Sequence, residues 1–571
     1  MIAEDLALLG RTAVHLRPSQ FAHRARLQTQ RAALHRWPKL GMRLLASAAA
    51  AAAPGWPAGF TPADALMPQY WPSLAHVSTG RIPLLGKLRE LGDPPDWQQA
   101  DAPLLWRFHL HYWDWAWGLA AASDRDTARG IFARLWRSWQ DSCAIGRGDA
   151  WLPYPAALRA WSWCGLYRDL VADSDMEPEF IRALFGHAAF LRHHLESDLG
   201  GNHLVKDLKA LAGLGVFLGR EQLLQRALRI LRRQLAMQVL PDGGHYERAP
   251  AYHGQVLADL IDLSDLLTAA GRPPEPQLNQ AVSLMRRWLG AVLGPDGAVP
   301  LLNDGYPVSD ALVAALEPGP APAEPLLLLP DTGLVRAVAG GWHLIADVGA
   351  PCPDELPGHA HADTLGCLVY VDGQPLLVDT GTSTYAAGDA RSYERSTAAH
   401  NTAEVDGVDS TEVWGAFRAG RRARVRDRVT RIDDHGCLIA EAAHNGYQWL
   451  PGRPLHRRRW SLSGAGLRVD DEVTGSKRHT VTIRWHLASG SAIRLRAGGA
   501  VVTTAAGDFP VDISASGPLQ LGVESRNVAT DFEATVVAPV LTCRTETVLP
   551  VRVTTYWRRS MACRDQAVET L

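Results

Sequence analysis

Residues 359–385 read HAHADTLGCLVYVDGQPLLVDTGTSTY, and this stretch sets the architecture of the second half of the chain. Apolar and β-branched residues flank the turn VDGQ at 371–374, so the sequence predicts a β-hairpin. We expect His359 and His361 on a strand ahead of the hairpin and therefore on one face, because side chains at i and i+2 share a face. The hairpin would return Asp379 toward both histidines.

These residues predict a metal site. His400, in the segment AHNT at 399–402, adds a further imidazole to the histidines and the carboxylate of the hairpin. Two of these imidazoles and the carboxylate make a ligand set that suits zinc. The alternative is that the histidines lie at the surface and that Asp379 merely ends a strand.

Outward from the hairpin, the sequence pattern changes near residue 325. Before it, apolar residues recur at helical spacing, as in 180–195 and 222–240, and paired helices indicate an α/α toroid. After 330, alternating segments such as 479–489 and 549–557 predict an antiparallel sheet assembly. We therefore expect an α+β multidomain chain: a basic, helical extension (1–100), a toroid (101–325), and a sandwich-like antiparallel β-sheet domain carrying the metal site (326–571).

Composition limits the classes of partner. The formal net charge of the 571 residues is -2, which gives no support for nucleic acid, although the first 45 residues hold eight Lys or Arg against two acids. The seven cysteines include no CxxC pair and indicate reduced thiols. No apolar run is long enough to span a membrane. The opening MIAEDLALLG does not resemble a signal peptide, so we expect a cytoplasmic protein; export by another route, as an extracellular polymer would require, stays open, as does the oligomeric state.

An aromatic cluster lies at 106–117, WRFHLHYWDWAW. On one helix, Trp106, His109, Trp113 and Trp117 would share a face. Aromatic rings can wall a sugar-binding groove by stacking on pyranose faces, so we expect Trp113 to bind substrate. Packing in the core explains the same pattern.

Two further segments contain polar side chains beside a predicted helix. GGNHLVKDLKAL at 200–211 places Asn202 and His203 at a helix N-terminus, where amide and imidazole donors add to the positive end of the dipole and suit a carboxylate. Helix capping is the alternative role of Asn202. DGGHYERAPAYHGQVLADL at 242–260 is a turn and a helix that carries Glu247 and Tyr252.

In series, GGNHLVKDLKAL, DGGHYERAPAYH, HAHADTLG, LLVDTGTSTY and STAAHNTAEVDG resemble the heparinase II/III-like polysaccharide lyases, a family related in architecture to the alginate and oligoalginate lyases. The resemblance covers roughly residues 100–480. It implies an incomplete α/α toroid packed against a multi-sheet antiparallel β domain, with the substrate held in the cleft between them.

The resemblance also implies roles for individual residues. Asn202 and His203 would neutralise the uronate carboxylate, and Tyr252 and His359 would be catalytic. The metal, a zinc ion with a structural role, would be held by His361, Asp379 and His400. The expected substrate-binding residues are Trp113, Glu247, Tyr385 and Tyr393. Lys206, the third residue after His203, departs from the members that carry an acid near this step and puts in doubt a role for a glutamate of the heparinase II kind.

The expected activity is β-elimination in a 4-linked uronic-acid glycan of heparin, heparan, heparosan, alginate or exopolysaccharide type, which gives an unsaturated uronate. Two alternatives stay open. A glycoside hydrolase on an α/α toroid would need two carboxylates at a suitable separation, for which Asp242, Glu247 and Asp304 are available. A catalytically silent glycan-binding or exopolysaccharide-assembly protein would keep the fold without the chemistry.

Overall fold

The computed structural model describes residues 2–37, 54–67 and 71–560. Residues 38–45, which end the basic stretch formed by the first 45 residues, lie outside the described residues. Among the described helices, none combines the length and the apolar character needed to cross a bilayer.

Helices dominate the chain up to residue 316. Their bounds are α1 (Ile2–Ala13), α2 (Pro18–Arg36), α3 (Leu74–Ser78), α4 (Leu104–Tyr112), α5 (Trp117–Ala120), α6 (Arg125–Ser142), α7 (Pro153–Leu170), α8 (Glu177–His194), α9 (Gly201–Phe217), α10 (Glu221–Gln238), α11 (Pro250–Ala269), α12 (Pro276–Val292), α13 (Asp310–Leu316) and, later in the chain, α14 (Asp389–Arg395). Leu224, Leu228, Leu231 and Leu235 show why α10 forms, since their spacing buries one stripe of the helix. The helices from α4 to α13 form the incomplete toroid around one apolar core.

Strands follow from residue 326. After the small hairpin β1 (Arg81–Leu84) and β2 (Lys87–Glu90), they are β3 (Leu326–Leu329), β4 (Leu334–Ala339), β5 (Trp342–Asp347), β6 (Cys367–Val371), β7 (Gln374–Leu377), β8 (Ala403–Val405), β9 (Val413–Trp414), β10 (Arg418–Ala419), β11 (Val425–Ile432), β12 (Leu438–His444), β13 (Leu455–Ser463), β14 (Gly466–Thr474), β15 (Arg478–His486), β16 (Ala492–Arg496), β17 (Gly499–Thr504), β18 (Gly507–Ala515), β19 (Gln520–Asp531), β20 (Ala534–Val548) and β21 (Val551–Arg558). The pairing between them is antiparallel.

Three larger sheets build this half. An eight-stranded sheet has the order β11-β12-β13-β14-β21-β18-β17-β16, a four-stranded sheet β19-β20-β15-β8, and a five-stranded sheet β3-β4-β5-β6-β7. Alternate residues of β13 are buried, as a sheet with one face on the core requires. The buried faces of the sheets share one apolar core, which gives the sandwich-like arrangement that the sequence predicts.

The predicted hairpin at 367–377 is confirmed, but the strand expected ahead of it is wrong. Residues 359–366 form a loop. The backbone amide of His361 donates to Asn303 Oδ1 (2.9 Å), and the amide of Asp304 donates to the carbonyl of His359 (3.2 Å). The two histidines therefore bond through their backbone to the loop at 303–304, and not to a neighbouring strand.

The aromatic segment does not form one continuous helix. Helix α4 ends at Tyr112, and Trp113 adopts a left-handed conformation with φ of 62°. Trp113 is fully buried, stacked on Trp97 at 5.6 Å and packed against Trp163. The expectation that Trp113 binds substrate is therefore wrong, because the turn at this residue directs its ring into the core.

The N-terminal helices lie across both halves of the molecule. Arg11 of α1 makes two 2.7 Å bonds to the carboxylate of Glu412 in the β half. Gln20 of α2 donates both to the carbonyl of Asp198 in the toroid (2.9 Å) and to that of Glu355 (3.2 Å), four residues before His359. Helix α2 thus joins the toroid to the loop that carries His359, and α1 contacts the β half.

Candidate active site

A cavity of about 1050 Å³ lies between the toroid and the β half. Six of the residues predicted for the site line it, together with aromatic side chains of α4 and α7: Asn202, His203, Glu247, Tyr252, His359, Tyr385, Phe108, Tyr112 and Tyr154. A second cavity of about 1140 Å³ lies against the linker at 319–330 and contains none of the predicted catalytic residues. The first cavity is therefore the candidate active site.

The start of α9 delivers Asn202 to the cavity. Gly200 and Gly201 have φ of 72° and 56°, and a Cβ on Gly201 would overlap the Glu247 carboxylate. Asn202 donates to that carboxylate from its backbone amide (2.6 Å) and from its side chain (3.1 Å). Capping does not explain Asn202, because the N-cap is Gly200 and the helix start shows no side-chain cap. The Oδ1 of Asn202 is buried without a hydrogen-bond partner among the described residues.

His359 lies between two carboxylates. Its Nε2 is 2.9 Å from Glu247 and its Nδ1 is 2.9 Å from Asp304. Burial lowers the pKa of His359, but the Glu247 and Asp304 carboxylates outweigh burial and raise it to about 9. Burial also opposes ionisation of Glu247, yet His359 brings the pKa of that carboxyl down to about 2. His359 is therefore an imidazolium at neutral pH.

Tyr252 packs on this cation. The Tyr252 and His359 ring centroids are 3.8 Å apart, and the Tyr252 hydroxyl is 2.7 Å from that of Tyr385. Burial raises the pKa of the Tyr252 phenol well above its ordinary value. Tyr252 comes from α11 of the toroid, whereas His359 and Tyr385 come from loops of the β half, so the cluster exists only where the two halves meet.

His203 faces the same cavity from the next position of α9. Its side chain is partly exposed, with Nδ1 3.1 Å from Glu196 Oε2 and its ring 4.3 Å from that of Tyr154. Lys206, the departure noted in the sequence, pairs with Asp259 at 2.8 Å. The acid near the Asn-His step is supplied by Glu247, which the sequence predicts as a substrate-binding residue and offers as a carboxylate for the hydrolase alternative.

Sequence reasoning missed the organising role of Asp304. This fully buried carboxylate accepts hydrogen bonds from His359, from His361 Nε2 (2.8 Å) and from Arg391 (2.5 and 2.9 Å). Although burial opposes ionisation, Arg391 and the histidines hold the pKa of Asp304 well below its ordinary range. Its segment, LLNDGY, reads as an ordinary turn, so no local pattern reveals the role.

The three predicted metal ligands do not converge on one point. His361 Nε2 binds Asp304, and the Asp379 carboxylate accepts a 2.7 Å hydrogen bond from His400 Nδ1. In the described part of the chain, no group of three or more His, Cys, Asp or Glu side chains is placed to hold a metal ion. The remaining nitrogens, His361 Nδ1 and His400 Nε2, are buried and lack partners there. As arranged, these residues do not fit a three-ligand site, and zinc stays a prediction.

Two other predicted roles lose their support. Tyr393 does not line the cavity; its ring lies 5.5 Å from the guanidinium of Arg526. Among the carboxylates considered for a hydrolase, Asp242 accepts from the backbone amides of Asp331 and Thr332 at 2.9 and 2.7 Å. Glu247 and Asp304 both bind His359, so this set offers no pair of carboxylates facing each other across open space.

Two family models and one curated protein match this sequence. The family model "Heparinase II/III N-terminus" matches residues 90–317, and "Heparinase II/III-like, C-terminal" matches residues 321–548. The curated protein "FtsZ-localized protein C" of Caulobacter vibrioides is 28% identical over 411 residues, which cover 70% of this chain and 69% of that protein.

Solved structures share the fold at low identity. A crystal structure of heparinase III superposes with a TM-score of 0.72 at 15% identity, covering 95% of this chain and 94% of that one. A mutant of the heparan sulfate lyase HepC from Pedobacter heparinus gives a TM-score of 0.61 at 16% identity, covering 86% and 83%. With the two family models spanning both halves, the chain belongs to the heparinase II/III-like family.

Proposed function

We propose that this protein is a polysaccharide lyase that cleaves a 4-linked uronic-acid glycan by β-elimination. The observation that carries the proposal is the contact of Tyr252 with the His359 imidazolium inside a sugar-sized cavity, next to Asn202. The shared fold with a protein named as a heparan sulfate lyase supports the same class of reaction.

The chemistry requires stabilisation of a developing negative charge. Removal of the C5 proton beside a uronate carboxylate builds an enolate-like transition state, which donors placed in advance stabilise. Asn202, His203 and the His359 imidazolium supply such groups at the positive end of α9. The carboxylate of the substrate would compete with Glu247 for the donors of Asn202 and His359.

Tyr252 is the residue to which we assign proton transfer. His359 is already protonated at neutral pH, so we assign proton exchange at C5 to Tyr252, which packs on it, and to Tyr385, whose hydroxyl is hydrogen-bonded to that of Tyr252. The Tyr252 phenolate would take the C5 proton, the C5–H electrons would form the C4–C5 double bond, and the C4–O4 bond would break. Tyr252, or Tyr385 hydrogen-bonded to it, would then protonate O4.

The phenolate is a minor species, because burial favours the phenol. The adjacent imidazolium and the Tyr385 hydroxyl are the groups that stabilise it.

The competing hypothesis is a silent glycan-binding or assembly protein. The name of the Caulobacter relative, which refers to localisation with FtsZ, accords with this hypothesis. The intact cluster of Asn202, Tyr252 and His359 favours catalysis.

A panel of uronic-acid polysaccharides tests the proposal. Cleavage by a lyase generates ultraviolet absorbance from the unsaturated uronate, and Tyr252→Phe should lower turnover by roughly 10² to 10⁴, the range for one acid–base group. Tyr306→Phe is the matched control, since Tyr306 lines the same cavity 5.9 Å from the Tyr252 ring and its hydroxyl bonds to Gln255. Equal activity of both variants would remove Tyr252 from the mechanism.

A further inference from the structure

The walls of the candidate active site carry more negative than positive charge. The described lining residues include seven carboxylates, two lysines and no arginine. The His359 imidazolium is a third cation, but Glu247 and Asp304 already flank it. Sulfated glycans are bound in proteins chiefly by guanidinium and ammonium groups, which match the charge and the oxygen geometry of a sulfate. Whether the two lysines are free to bind a sulfate therefore determines which glycans this cavity can hold.

Both lysines are already neutralised by the protein. Lys206 Nζ lies 2.8 Å from Asp259, and Lys209 Nζ lies 3.0 Å from Asp259 and 2.6 Å from Asp262. Their side chains are only 11% and 10% exposed. Lys209 could reach a sulfate only by leaving Asp262 unpaired, and Lys206 only by giving up its ion pair with Asp259. Breaking a buried ion pair in this way is strongly unfavourable.

Asp64 and Asp114 have no such partner. Neither side chain forms an ion pair with another described residue, and both line the cavity near the lysine cluster. Burial raises the pKa of Asp114 to about 8, and the Asp64 carboxylate contributes to the increase. Burial likewise raises the pKa of Asp64 to about 6, with Lys209 opposing and Asp262 adding to the shift. In this part of the cavity, a bound sugar would therefore meet the carboxyl groups of Asp64 and Asp114. These groups accept hydrogen bonds when ionised and act as acids when protonated.

We propose that the cavity selects unsulfated uronate glycans and rejects their sulfated counterparts, and that Asp64 and Asp114 determine this selectivity. The inference rests on the proposed function. A sulfate ester stays ionised and would lie beside the Asp64 carboxylate and the paired carboxylates of Asp259 and Asp262 in a partly desolvated site. Sugar hydroxyl and N-acetyl N–H groups, by contrast, can donate to the oxygens of Asp64 and Asp114. The uronate carboxylate itself has separate donors in Asn202, His203 and His359.

The test compares size-matched glucuronate–N-acetylhexosamine oligosaccharides with and without sulfate. Binding is measured by calorimetry with Tyr252→Phe, so that turnover does not interfere, and kcat/KM is measured with the unaltered protein. We expect the sulfated ligand to bind at least about 100-fold more weakly, the scale of a juxtaposed like charge. Asp64→Asn with Asp114→Asn should narrow this ratio, while Asp126→Asn with Asp434→Asn, the same two substitutions at exposed positions outside the cavity, should not.

The outcomes separate the two proposals. Selective binding of the unsulfated ligand without cleavage would support the selectivity and overturn the lyase assignment. Cleavage of both ligands at similar kcat/KM would support the lyase and overturn the selectivity. Equal or tighter binding of the sulfated ligand, or no binding of either one, would also overturn the inference.

Discussion

The charge of His359 is the property on which the proposed chemistry depends at the scale of single residues. Two carboxylates flank its ring at 2.9 Å, and Tyr252 covers one face. A histidine with its ordinary pKa would be mostly neutral at pH 7 and would stabilise a phenolate or an enolate poorly. Glu247 and Asp304 keep this ring in the form that the reaction requires.

Replacing Glu247 should therefore change the pH dependence. The pKa of His359 is raised to about 9, so activity that needs the imidazolium is present below that pH and is lost as pH rises through it. In Glu247→Gln we expect the alkaline limb of kcat/KM to move down by about one pH unit or more, as removal of a close opposite charge predicts. The control is Glu196→Gln, because Glu196 pairs with His203 and not with His359. An unchanged alkaline limb in Glu247→Gln would show that His359 does not set it.

At the scale of elements, the start of α9 determines where Asn202 lies. Gly200 and Gly201 both adopt positive φ, which lets the chain turn sharply into the helix beneath the Glu247 carboxylate. The sequence GGN predicts a helix start, but only the contact with Glu247, 45 positions later, reveals why a side chain at 201 is excluded. The two glycines thus link the fold of the toroid to the geometry of the site.

Gly201→Ala tests this link. Its Cβ would lie 2.7 Å from Leu356 and would also overlap Glu247, so we expect a loss of roughly 2–4 kcal/mol in the free energy of unfolding from strain and overpacking. Gly219→Ala, just after the other end of α9, has φ of +62° and no atom within 4 Å of the added Cβ, so it should lose only about 1 kcal/mol. Urea denaturation gives both values, and comparable losses would contradict the packing argument.

Local and distant contacts explain which elements the sequence could predict. Helices α8 and α10 and the hairpin β6–β7 follow from apolar periodicity and from a turn motif, which are local signals. The sequence predicts a strand at His359 and His361, but these residues form a loop. The conformation of this loop depends on Asn303 and Asp304, which lie 58 and 57 positions before His361. The prediction for Trp113 fails for a local reason, since Trp113 itself adopts the left-handed conformation that ends α4, and its ring lies in the core.

At the scale of the whole molecule, the candidate active site belongs to neither half alone. Tyr252, Asn202 and Glu247 come from the toroid, and His359 and Tyr385 come from the β half. Helices α1 and α2 contact both halves and reach Glu355 in the loop ahead of His359. The family resemblance anticipated a cleft between the domains, but the ion pairs that hold the loop and the neutralised lysines became visible only in the assembled structure.

The origin of the oxygen in the product distinguishes β-elimination from hydrolysis. A glycan that the protein cleaves is digested in water enriched in heavy oxygen, and the products are weighed by mass spectrometry. β-Elimination breaks the C4–O4 bond without adding water, so we expect an unsaturated uronate end, no heavy oxygen fixed at the cleaved linkage, and loss of this product in Tyr252→Phe. Stoichiometric incorporation of heavy oxygen into saturated products would show hydrolysis and would contradict the account.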